Sequence, residues 1–151
     1  VTTKTADGEP VGLTINSLAS VSMDPLLLLW SVANSVNSAG AFIEGGLFAV
    51  HLLGAHQSDT AMTFATKGHE RFTKHRWGWS ERGLPILQDS AAVFECALYR
   101  AVEAGDHTIL IGEVLQVAQA DRAALLYHRR GFHSVAPLPV CAEPLTVTQG
   151  W

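Results

Sequence analysis

Residues 12–38, GLTINSLASVSMDPLLLLWSVANSVNS, restrict what this chain can fold into more than any other stretch. The first of them alternate. Val11, Leu13 and Ile15 fall on one side of an extended segment and Gly12, Thr14 and Asn16 on the other, because side chains of a strand point to opposite faces in turn. Hydroxyl residues follow at Ser17, Ser20 and Ser22, and then an unbroken apolar run, LLLLW at 26–30. A run of that size, apolar on both faces, reads as a strand in the interior of a sheet. The segment before it has an oily face for a core and a face of small hydrogen-bonding groups. Such a face suits something flat, rich in polar atoms and able to approach the backbone, which Gly12 permits by having no side chain.

The rest of the chain has the same character. Residues 1–5 and 10–16 are β-rich and flank Asp7-Gly8, a strong hairpin signal. Residues 26–32 form a third strand, which both-sided apolarity makes central. Asn37-Ser38 offers an N-cap to a short helix at 39–44, which Gly45-Gly46 should end with a left-handed cap. Residues 47–53 are a fourth strand, with Phe48, Val50 and Leu52 inward and His51 on the other face. Ser58 or Asp59 can cap a second helix, with Ala61, Phe64 and Ala65 on one side. Residues 67–88, broken by Gly68, Gly78, Gly83 and Pro85, read as a long loop, a length that is usually functional or a lid. Strands are predicted again at 92–101, 108–118 and 125–127. The outcome is a mainly β, antiparallel, Greek-key-like barrel of six or seven strands with two or more short helices.

Composition closes off several classes. The chain has 151 residues, 48% hydrophobic and 16% charged, so a packed domain is expected and disorder is not. The formal charge is −4, with no basic run to meet nucleic acid. No apolar stretch approaches the roughly 20 residues that cross a bilayer as a helix, so no membrane partner is expected. The few charges suggest that a second subunit covers part of the surface. Cys96 and Cys141, far apart, fit a reduced, cytoplasmic protein. The chain opens in what reads as mid-strand, without Met, so its true N-terminus is expected to lie further upstream. The seven histidines have no metal-ligand spacing, and no metal is expected.

Three motifs in order carry a resemblance. Thr14-Ile15-Asn16-Ser17-Leu18, then Ser20-Val21-Ser22 and Asp24-Pro25 ahead of an apolar strand, form the first. Gly105-Asp106-His107-Thr108 is the second, and Tyr127-His128-Arg129-Arg130-Gly131-Phe132-His133 the third. Together they resemble the short-chain flavin reductases, the reductase components of two-component flavin-dependent monooxygenases. The resemblance covers residues 1–133, a split-barrel FMN-binding domain, and leaves 134–151 as a C-terminal tail crossing the surface or reaching a partner. It implies a homodimer that uses NADH or NADPH to reduce FMN or FAD for a separate oxygenase component.

It also implies roles for particular residues. Gly12, Thr14, Asn16 and Ser17 would meet the flavin ring or its ribityl chain. Ser35 and Ser38, at the mouth of the first helix, would meet its phosphate, although a serine there can equally be a plain cap. Lys67 is the best placed of a basic group with Arg71, Lys74 and Arg76. Gly105, Asp106 and His107 would line the nicotinamide site, with Asp106 orienting the imidazole, although Gly-Asp can also be a turn and no more. Arg130 would contact a pyrophosphate and Phe132 pack beside the cofactors, or the two could simply seal the barrel. Trp77 and Trp79 could cover a ring or pin the loop to the core. Two departures from the family pattern stand out. Leu26 replaces a second proline after Asp24-Pro25, and Asn34-Ser35-Val36-Asn37-Ser38 replaces a run richer in serine. A flavin carrier without reductase activity and another split-barrel flavin oxidoreductase remain alternatives.

Overall fold

The computed structural model describes residues 1–68 and 70–134. From the N-terminus the elements are β1 (Thr2–Lys4), β2 (Pro10–Gly12), β3 (Ala19–Met23), β4 (Leu26–Ala33), α1 (Ala39–Glu44) and β5 (Leu47–Leu52). There follow α2 (Ser58–Ala65), β6 (Trp77–Trp79), β7 (Pro85–Leu87), β8 (Ala92–Ala104), β9 (His107–Gln119), β10 (Leu125–His128) and β11 (Gly131–Ser134). Seven strands make one antiparallel sheet in the order β2-β1-β5-β8-β9-β4-β3, and the rest form the hairpins β6–β7 and β10–β11. The six or seven strands read from the sequence match the main sheet in number but not in membership. The tail expected from 134 onward lies outside the described residues, apart from Ser134 in β11.

The long ribbon β8–β9 splits the sheet. Residues 92–97 of β8 pair with 47–52 of β5, whereas 107–113 of β9 pair with 27–33 of β4. Past those points, among the described residues, each strand of the ribbon pairs only with the other. Residues 99–104 and 115–119 are therefore exposed, with Tyr99, Val102, Leu115 and Val117 among them.

The core lies between the two wings. Trp30 and Val32 of β4, Leu110 of β9, Phe48 and Val50 of β5, Cys96 of β8 and Phe42 of α1 are all buried. Trp30 meets Phe42 and Phe48 edge-on, with ring centroids 5.0 and 5.7 Å apart. Each buried aromatic or aliphatic side chain contributes roughly 1.5–3 kcal/mol by leaving water. Gly112 of β9 is needed here, because a Cβ would run into the Phe48 ring. Phe42 explains why so short a helix as α1 forms at all: the helix swings that ring into the core. Gly46, at φ +67°, then turns the chain out of it.

Several local expectations need correction. β2 stops at Gly12 rather than continuing to residue 16. Leu13 still donates its N–H to Val1 O, but Thr14 gives its N–H to Phe64 O at 3.1 Å and its hydroxyl to Ala61 O at 2.7 Å. The carbonyls of α2 thus draw the chain off the sheet. The serine-rich stretch, for which the sequence predicts no strand, is strand β3, because β4 offers a hydrogen-bonding edge that outweighs local turn preference. The Asp24-Pro25 bond in the β3–β4 turn is cis. β4 is one strand in from an edge rather than central. Ser38 makes no side-chain bond to the α1 backbone. The cap of α2 is Gln57, not Ser58 or Asp59; Gly54 N–H donates to its side-chain oxygen and its amide nitrogen donates to Gln88 O, both at 2.8 Å. Ala65 and Leu52 are exposed rather than inward. The long loop contains β6 and β7, with Ser80 N donating to Leu84 O between them.

Candidate functional site

A cleft of about 340 Å³ opens where residues 13–18, the end of β5, helix α2 and the β10–β11 hairpin converge. Leu13, Ile15 and Leu18 give one apolar wall, and Ala61, Phe64 and Leu52 another. Tyr127 and Phe132 stand at its edge, ring centroids 5.2 Å apart. They get there because Leu125 N–H donates to Leu53 O at 2.7 Å, anchoring the hairpin to the end of β5. The polar groups in this lining are Thr14, Asn16, His51 and Thr60 together with the Tyr127 hydroxyl. An apolar cleft of this size with a few placed polar groups is the common form of a small-ligand site.

Three of the sequence-predicted residues line this cleft: Thr14, Asn16 and Phe132. Thr14 has already committed its hydroxyl and amide hydrogens to α2. Asn16 is exposed at the rim, and its amide makes no hydrogen bond among the described residues. Gly12 is buried under Phe64, where a Cβ would come within 2.8 Å of that ring. It serves strand-to-helix packing rather than the cleft surface. Ser17 does another task. Its hydroxyl oxygen accepts the N–H of Ser31 at 2.9 Å, tying the 13–18 segment onto β4.

The Gly105-Asp106-His107 motif makes the β8–β9 turn, with Gly105 at φ +66°. His107 Nδ1 lies 2.8 Å from Asp106 Oδ1, and both side chains are exposed. The hydrogen bond from His107 holds the Asp106 carboxyl below its ordinary range. The turn docks on Asn34, whose N–H donates to Asp106 O at 2.9 Å and whose side-chain oxygen accepts from the Thr108 hydroxyl at 2.8 Å. Asn34 precedes Ser35 and Ser38, so the second motif and the segment before α1 form one polar ledge. Ser31 stands opposite Ile109, and Ala33 opposite His107. The ledge therefore begins about 7 Å along β4 from the place where Ser17 closes on it, at roughly 3.3 Å per strand residue. Cleft and ledge are separate surfaces joined by the Asn16-Ser17 corner.

Lys67 and Arg130 fall elsewhere. Lys67 lines a shallow depression of about 470 Å³ with Arg71 and Lys74, beyond the end of α2. Arg71 is structural there: its guanidinium donates to Thr66 O and Gly12 O. Arg130 sits with Arg129 in the β10–β11 turn, at φ +63° and +51°, and both are exposed. Trp77 and Trp79 continue a series of edge-on rings, Phe64 to Phe72 to Trp77 to Trp79, each step 5.0 or 5.1 Å. That series pins the loop onto α2. Among the described residues no three of His, Cys, Asp and Glu come together as a metal site.

Sequence reasoning passed over His51 and Thr60. His51 was placed on the outer face of its strand with no role attached. The available signal was an imidazole in an otherwise apolar strand, LFAVHL.

The flavin reductase like domain profile matches residues 1–136. The chain is 40% identical over 136 residues to the reductase component of a flavin-dependent trigonelline monooxygenase from Acinetobacter baylyi, covering 90% of this chain and 44% of that protein. It is 42% identical over 132 residues to the FMN reductase (NADH) SmoA of Agrobacterium fabrum, covering 87% of this chain and 75% of that one. A solved structure of an NADH:FAD oxidoreductase from Streptomyces globisporus, in complex with NAD and FAD fragments, matches with a TM-score of 0.85 at 34% identity. That match covers 90% of this chain and 82% of the other. The chain thus spans less than half of one of these relatives and most of the other two.

Proposed function

The chain belongs to the flavin reductase-like family, and on that premise we propose that it is an NAD(P)H-dependent flavin reductase that supplies reduced FMN or FAD to a separate monooxygenase. The observation that carries this reading is the meeting of an apolar cleft and a polar ledge at Asn16-Ser17. A planar ring system needs the first, and a charged, phosphorylated nucleotide needs the second.

The residues fit a flavin. The cleft walls are mostly apolar, and Asn16 has an uncommitted side-chain amide at the rim. Thr14, Asn16 and Phe132 would hold the ring. Ser35, Ser38 and the Gly105-Asp106-His107 turn would receive the more polar parts of the two nucleotides. A bound flavin supplies the hydride-accepting chemistry itself. What this chain contributes is position and exclusion of water. Leu13, Ile15 and Phe64 keep the cleft dry, and Asp106 orients the His107 imidazole. This division explains why neither a triad nor a pair of facing carboxylates is needed.

The reading extends to a homodimer. Its support is the one-sided ribbon ends, where Tyr99, Val102, Leu115 and Val117 expose apolar surface, as do Val21 and Met23 on edge strand β3. It also extends to a cytoplasmic location, where NAD(P)H is at hand; no helix among the described residues is long and apolar enough to cross a membrane.

Purified protein mixed with NADH and either FMN or FAD should oxidise the nicotinamide, followed by its absorbance. Flavin binding with no loss of NADH or NADPH would leave a carrier instead. Light scattering on the eluting protein should give twice the chain mass.

A further inference from the structure

We propose that the β10–β11 hairpin is a flap, and that Tyr127 and Phe132 on its inner face close as an aromatic clamp over the ring system of a ligand in the cleft. The proposal rests on the flavin reading above and deepens it. Tyr127 becomes a ring-contacting residue, and the hairpin the part that moves.

Little holds the hairpin to the rest of the domain. It forms a two-stranded sheet of its own, with Tyr127 directly opposite Phe132. Its base is fixed: Ala55 N–H donates to Ala123 O at 2.8 Å, Gly54 bridges to Ala124, and Leu125 N–H donates to Leu53 O. Beyond Leu125 no hydrogen bond among the described residues leaves the hairpin. At the tip Arg129 and Arg130 hold φ of +51° and +63°, in a turn where Asn-Gly would sit with less strain. A two-stranded hairpin by itself is marginal in water, and a strained turn weakens it further. The 67–88 segment, whose length suggested a lid, is the opposite case. The rings from Phe64 to Trp79 pin it to α2.

The inner face of the hairpin lacks something to pack on. Leu125, Tyr127 and Phe132 fall on one side of the two strands, and all three line the cleft. Tyr127 is nevertheless 50% exposed. Two touching rings therefore stand half in water at the edge of an apolar cleft. A flat ring laid against Leu13, Ile15 and Phe64 would leave part of its surface toward them. Closing the pair over it buries apolar area on both partners and adds aromatic contact. Without a ligand the same movement buries less, so the hairpin stays open. Such a flap suits turnover: open, it admits the nicotinamide and releases reduced flavin; closed, it retains the flavin.

The test uses the whole chain and FMN as the probe. Hydrogen exchange followed by mass spectrometry should show the amides of 126–133 exchanging about tenfold more slowly with saturating FMN than in the free protein. FMN affinity, from quenching of flavin fluorescence, should fall about tenfold in Tyr127→Ala, most of it as faster release. Tyr127→Phe keeps the ring and should stay within about twofold of wild type. Exchange as slow without FMN as with it overturns the flap; if that protection is lost on dilution, a second copy covers the hairpin instead. A Tyr127→Ala variant with wild-type affinity overturns the clamp. Should that variant not fold, the wild-type exchange decides. Wild-type protein that binds no FMN would remove the flavin reading itself, a result visible before any variant is made.

Discussion

His51 and His107 are two imidazoles in one domain with opposite surroundings. His107 stands in a turn, exposed, with the Asp106 carboxylate 2.8 Å away. His51 stands in a strand, accepting the Leu87 N–H and pushed neutral by burial. The first lies in a sequence motif because a tight turn demands particular residues in a row. The second has no motif, because its environment is assembled from β5, β7 and α2, which are distant in the chain. The comparison teaches that a local signature marks where the backbone does something unusual. A lone polar group among apolar ones marks where the fold does.

If the β8–β9 turn and the cleft divide the work between nicotinamide and flavin, substitutions should separate rate from affinity. His107→Ala should lower NADH-dependent flavin reduction about a hundredfold, a size in keeping with loss of an orienting group next to the reacting atoms. Its flavin affinity should stay within about twofold of wild type, and equal loss of both would merge the two regions into one. Next in size, Asn16→Leu should weaken flavin binding about tenfold by leaving a ligand acceptor unpaired. An unchanged dissociation constant would take the cleft rim out of the site. Thr14→Val removes the hydroxyl that donates to Ala61 O and should cost about 1 kcal/mol of unfolding free energy in urea. Its effect on flavin affinity should be small, because that hydroxyl serves the scaffold.

The smallest effect concerns the exposed partner of His107. A carboxylate whose folded pKa is depressed adds stability above its unfolded pKa and loses it as pH falls through the folded value. The Asp106 carboxyl should therefore titrate below its ordinary 3.8 when followed by NMR, with the contribution lost in that acid range. In His107→Ala the midpoint should rise. A midpoint unmoved by that change would mean the 2.8 Å contact does not persist in solution.

Much of the fold was readable before any coordinates. Residues 26–33 form a strand because an apolar run of that length has few other outcomes, and 39–44 form a helix because two glycines end it after one apolar turn. The hairpin at Gly8 and the turn at Gly105 were legible because positive φ is easiest for glycine. The site was legible in part. Thr14, Asn16 and Phe132 do line the cleft, whereas Lys67 and Arg130 lie on other surfaces.

The sequence by itself determined a β domain with an apolar centre, its family, and which backbone turns carry glycine. Those depend on neighbouring residues, whose preferences act over a few positions of chain. Tertiary structure alone decided that β2 ends at Gly12, that Ser17 fastens a segment to β4 instead of facing the cleft, and that His51 is buried, neutral and accepts a backbone N–H from β7. Each of these turns on a carbonyl, an amide or an apolar wall brought from tens of residues away. No local pattern reports which partner will arrive.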